Sequence, residues 1–252
     1  MRNNLLLALC VLILGGCSGK YSDIPLEKRY WTVEDYETVI HKIRFQNDEE
    51  ELPTFDNPET RLILEKLTDE QNFIVVLDDE TLGVKYRNEV GSIFFDEWRS
   101  MNKIYWGMDR QDKYLYPLEL IKCYNFGLGL QLRYFELGND DMRENSLNPD
   151  DKDIKKTITR NVRTLIGNYN NYLSIVKNED AFSEAAILAY ADGLDTYFTQ
   201  LIALYPKANF NETKSKLELL KEKTQSDEVD SSADKIITLI DSLIEKEGVV
   251  QE

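Results

Sequence analysis

Few groups in this chain could do chemistry. Among 252 residues there are three cysteines and one histidine. Cys17 stands out, in the run Leu14-Gly15-Gly16-Cys17-Ser18. A thiolate is a strong nucleophile on a small side chain, and the two glycines before it let the backbone lie close against a processing enzyme. Ahead of it, Arg2 precedes ten apolar residues, Leu5 to Leu14. Ten helical residues rise about 15 Å, half of the roughly 30 Å hydrocarbon core. The segment therefore suits an export signal and is too short to span a bilayer.

Leu14-Gly15-Gly16-Cys17 resembles the lipobox of bacterial lipoproteins: an apolar residue, two small ones, then cysteine. The resemblance covers about twenty residues and does not reach the folded part. It implies removal of residues 1–16 as a signal peptide, a diacylglycerol on the Cys17 thiol and an acyl chain, such as palmitate, on the new amine. Ser18 follows the cysteine where Asp would favour inner-membrane retention. By the same resemblance the expected location is the cell envelope, at the outer membrane rather than the inner.

The remaining thiols add little. Cys10 leaves with the signal, so Cys123 is the one free cysteine of the mature chain and no intramolecular disulfide can form. Within Leu120-Ile121-Lys122-Cys123-Tyr124, it reads as a small buried hydrophobe rather than a nucleophile. His41 is the single histidine and reads as a surface or capping residue. With one histidine and one free thiol, a zinc site or a Ser-His-Asp triad is nearly excluded. The chain contains no GxSxG, HExxH, P-loop or GxGxxG motif. The Asp48-Glu49-Glu50-Glu51 run reads as a solvated loop, with a basic partner or loose cation site as the alternative. Asp150-Asp151-Lys152-Asp153 lacks both the ligand spacing and the glycine of a calcium loop. No cofactor and no metal ligand set is expected.

The net charge is −16, and loss of Arg2 makes it more negative by one. Such an acidic chain is a poor nucleic-acid binder, because phosphate recognition needs clustered Lys and Arg. Aromatics are dense from Tyr86 to Phe135, including Trp98, Trp106, Tyr124, Phe126 and Tyr134, around Gly127-Leu128-Gly129. They could line a ligand cleft; core packing is the default reading.

The elements that position these residues read as helices. Thr32-Val33-Glu34-Asp35 opens one with a capping box, and its apolar face carries Val33, Tyr36, Ile40 and Ile43. Asn57-Pro58 and Thr68 to Gln71 look like further starts, with Leu62, Ile63 and Leu67 facing inward. Tyr86, Val90, Phe94, Trp98, Met101 and Tyr105 recur at helical spacing, as do Ile154, Ile158, Val162, Leu165, Ile166, Tyr169, Leu173 and Val176. Phe182, Ala185, Ala189, Leu194, Phe198, Leu201 and Tyr205 form another stripe, and Ser231 or Ser232 caps a last helix. Two runs stay ambiguous between helix and strand, 73–77 and 128–134; a helix is favoured for each.

The expected fold is mostly all-α, an antiparallel helical bundle. Its parts are a signal at 1–16, a tether at 17–30, and helical parts at 31–138 and 154–248, which could form one continuous domain. Residues 139–153 are the best boundary. The expected role is that of a lipid-anchored accessory subunit of an envelope protein complex, without catalysis of its own. Its partners would be the membrane, through Cys17, and an envelope protein. A ligand- or glycan-binding lipoprotein and an acidic inhibitor or immunity lipoprotein remain alternatives.

Overall fold

The computed structural model describes residues 21, 23–45, 52–148, 151–176 and 179–249. Among them the protein is all-α. The helices are α1 (Val33–Phe45), α2 (Arg61–Leu67), α3 (Gln71–Leu77), α4 (Val84–Tyr105), α5 (Pro117–Glu144), α6 (Lys152–Tyr172), α7 (Glu184–Gly193), α8 (Thr199–Leu204), α9 (Asn211–Lys221) and α10 (Asp227–Val249). No strand forms among the described residues; one antiparallel bridge joins Met108 to Tyr114 in the α4–α5 connection. Both ambiguous runs are helical, 73–77 in α3 and 128–134 in α5.

The middle of α5 is buried on every side: Leu120, Ile121, Cys123, Phe126, Leu128, Leu130 and Leu132 all lose their solvent contact. A helix that is apolar all round belongs in a core. One side of α5 joins Trp31, Tyr36, Phe73, Phe94 and Met101. The other joins Tyr169, Tyr190, Phe198, Leu217 and Ile236. The two apolar clusters therefore meet on α5, which packs most extensively against α4 and also against α6 and α7. Tyr36 stacks on Phe126 with centroids 5.8 Å apart, and Tyr172 stacks on Tyr190 at 4.7 Å.

Several expected details move by a turn or less. The Thr32 box forms as expected: Asp35 N–H donates to Thr32 Oγ1 at 3.3 Å, and Thr32 N–H donates to Asp35 Oδ2 at 3.1 Å. Thr68 ends α2 instead of opening α3, and Asp69 accepts the Gln71 N–H. Leu62 is exposed, and Leu64 takes its inward place. Ser226 accepts the Val229 N–H and starts α10 ahead of Ser231. Helix α5 runs on to Glu144 with Asn139 buried, so the turn between the halves begins only at Asn145.

A π turn at Leu194–Phe198 joins α7 to α8. Its extra residue per turn shifts the helix phase. Ala186 is buried where Ala185 was expected, because Ser183 caps α7 and leaves Phe182 outside it; across the π turn Leu194, Phe198 and Leu201 face the core as expected.

The stretch read as a tether is packed from Ile24 onward. Ile24 is buried, and Trp31 is fully enclosed, with Nε1 donating to the Pro25 carbonyl at 2.9 Å. Lys66 Nζ ties down the carbonyls of Lys28 and Arg29 at 2.5 and 2.7 Å. Ile24, Pro25 and Leu26 supply the apolar surface that a free tether would lack.

Glu119, in the first turn of α5, is 5% exposed, and its Oε1 accepts the Phe55 N–H at 2.8 Å. Burial pushes its carboxyl above the usual range and Asp56 adds to this, while the Phe55 hydrogen bond opposes it. A carboxyl whose folded pKa is raised favours folding below its unfolded pKa. That contribution is lost as pH rises through the folded value. Glu119→Gln keeps the acceptor and removes the charge. It should raise stability to denaturant at pH 7 and lose that advantage below the ordinary glutamate range. An equal effect at both pH values would contradict this account.

Candidate functional site

Cys17 and the Asp48–Glu51 run lie outside the described residues. Cys123 is fully buried, and burial, with Glu119 nearby, pushes its thiol far up. A thiol held protonated in a dry core is inert. His41 is exposed on α1 beside Glu37 and Glu97, where they line a shallow opening of ≈ 430 Å³. No group of three His, Cys, Asp or Glu side chains is placed to hold a metal among the described residues. None of the described helices is long and apolar enough to cross a membrane.

Most of the aromatic stretch is packing, although Tyr86, expected on the inward stripe one turn before Val90, is exposed. Trp98 is 7% exposed, and its Nε1 donates to the Cys123 carbonyl at 2.8 Å. Its ring lies over Gly127: a Cβ there would sit 2.0 Å from Trp98 Cε2. Gly127 thus lets α4 and α5 approach across the indole. Gly129 does the same for a polar contact, since its Cβ would fall 2.2 Å from Glu70 Oε1. Tyr197, on the π turn, donates to that Glu70 oxygen at 2.7 Å. Arg133 sits alongside, paired with Asp78 at 3.1 Å and lying over the Phe73 ring at 5.5 Å. This cluster fastens α3 to α5 and to the π turn with its partners satisfied. Trp106, 44% exposed and edge-on to Tyr114 and Tyr124, is the one tryptophan with substantial exposure.

The second opening of interest lies on the outside of α6. There Ile158, Val162 and Ile166 form one wall, and Leu204, Pro206 and Ala208 the other, of a groove of ≈ 1010 Å³. The core side of α6 is Leu165, Tyr169 and Tyr172, all fully buried. Ile158 and Val162 are only half-buried although they continue the apolar stripe. At 3.6 residues per turn, Lys152, Lys155, Lys156 and Arg163 fall on the groove side of this helix, the three lysines in the turns before the groove begins, and Arg160 falls at its solvent edge. All five are exposed, and Asp153 is the one acidic residue within α6. Arg163 and Lys207 line the groove itself. Glu212 lines it too, within 3.7 Å of Lys216. Lys152, Lys156, Arg160 and Arg163 form no ion pair among the described residues.

The arrangement can receive an apolar, negatively charged surface. The stripe from Ile154 to Val176 is legible in the sequence as a helix face, but its periodicity shows neither its incomplete burial nor its basic flank. Counting charge segment by segment would have found the flank, because α6 is basic in a chain of net charge −16. No family model, no curated protein and no solved structure matches this chain.

Proposed function

We propose that this chain is a lipid-anchored envelope lipoprotein that acts as an accessory, interaction-making subunit of a membrane-associated protein complex. It is held by acyl chains on Cys17, by resemblance at the outer membrane, and contributes no catalysis of its own. The observation that carries the anchored reading is the run Leu14-Gly15-Gly16-Cys17 behind a ten-residue apolar segment. The partly covered apolar stripe of α6 supports the interaction role, since a helix face that its own fold leaves half-exposed is suited to a partner. Ile24 is already packed, so the seven residues back to Cys17 reach at most about 25 Å. The folded part would then work close to the membrane surface.

The test is purification of the tagged, full-length protein from its native membranes in mild detergent, with mass determination of what comes with it. The expected result is one envelope protein at fixed stoichiometry. A solitary monomer at every detergent and salt condition contradicts the reading.

A further inference from the structure

We infer that the α6 groove receives an acidic, amphipathic helical segment of the partner protein. This rests on the interaction-subunit reading above and names the chemistry of the partner at that surface.

Length is the first reason. From Ile158 to Asn170 the groove follows α6 for about 18 Å at 1.5 Å per residue, or three helical turns. A trough of that shape takes apolar side chains repeating at i, i+4 and i+7, the helix-in-groove mode of recognition. A flat bilayer surface would not fill it. The second reason is charge. The chain carries 46 acidic residues against 30 basic ones, yet the flank of this groove is basic. An acidic segment is repelled by most of the surface and attracted here, which fixes both site and orientation. Lys152, Lys156, Arg160 and Arg163 are not committed to ion pairs among the described residues. Docking therefore breaks no existing pair of theirs.

The experiment uses the full-length, membrane-borne protein. A photo-crosslinking residue replaces Thr159, an exposed groove-lining position on α6, and in a parallel variant replaces Tyr86, an exposed position on α4. Adducts are sequenced by mass spectrometry. The expected result is a Thr159 adduct on a segment of net negative charge with apolar residues at helical spacing. Its yield should fall at least about tenfold in the double variant R160E/R163E. Both substitutions are at exposed positions, and an unchanged melting curve will show that the variant stays folded. The captured segment, made as a peptide, should bind the purified protein with an affinity that falls about tenfold between low and high salt.

Adducts on phospholipid, on a second copy of this chain or on a segment without net negative charge overturn the inference. So does a yield that R160E/R163E leaves intact. Adducts from Tyr86 but not from Thr159 overturn the groove and leave the interaction subunit standing. Adducts from neither position count against both.

Discussion

Gly127→Ala should destabilise the protein by about 3 kcal/mol or more, against the sign that helix propensity alone gives. In a helix interior, alanine is favoured over glycine by about 1 kcal/mol. Here the added Cβ would lie 2.0 Å from the Trp98 indole, whose edge is fixed by the Nε1 bond to the Cys123 carbonyl at 2.8 Å. Trp98 cannot swing aside, because Phe95 and Tyr124 pack against it at 5.5 and 6.2 Å. Either α4 and α5 separate, or the indole leaves and its N–H loses its acceptor. Overpacking costs about 1–3 kcal/mol, and an orphaned buried donor about as much again. For a chain of this size, that lowers the melting temperature by roughly 6–12 °C.

Gly167 supplies the control, since a Cβ there meets nothing within 4 Å. Gly167→Ala should be neutral or stabilising by up to about 1 kcal/mol. A double-mutant cycle with Trp98→Leu isolates the clash, because the Gly127→Ala penalty should shrink once the indole is gone. A Gly127→Ala variant as stable as Gly167→Ala would mean that the α4–α5 approach is looser than described.

The second large effect is on location. Wild-type protein should fractionate wholly with membranes and resist extraction by salt. Each buried CH₂ is worth about 0.8 kcal/mol, and two or three acyl chains anchor a protein stably. Cys17→Ser has no thiol to carry the diacylglycerol. No species of the wild-type processed mass should remain in its membrane fraction. The same processed mass, still in the membrane, would rule out acylation at Cys17.

The sequence made the helices legible wherever one face alone is buried. Val90, Phe94, Trp98, Met101 and Tyr105 recur every three or four residues because α4 presents one side to α1, α3 and α5. The same reasoning fails on α5. Leu128, Leu130 and Leu132 alternate like a strand only because α5 is covered all round, so the pattern carries no face. Helix ends were harder to place, since Ser226, Ser231 and Ser232 are all competent caps and packing of Val229 decides among them. The π turn at Leu194–Phe198 has no period of its own to read, and the one-residue slip at Ala185 and Ala186 comes from counting Phe182, which lies before the Ser183 cap, into the stripe of α7.

For the candidate site, residue identity was visible and role was not. Gly127 and Gly129 read as packing by default, with a cleft lining as the alternative; only the position of the Trp98 ring and of Glu70 makes them contact points between elements. The α6 stripe was visible, but which of its residues the fold leaves half-covered depends on how far α9 and the 204–211 turn reach across it. Tyr205 in that turn is partly buried, and burial pushes its phenol up to about 12, so it stays a neutral wall of the groove.

The measurement that bears most directly on the anchored-subunit account is the intact mass of the protein taken from its native membranes. The account expects a polypeptide that begins at Cys17 and carries a diacylglycerol, with or without a further acyl chain on the amine. A free Cys17 thiol, or a chain that still carries residues 1–16, would contradict it.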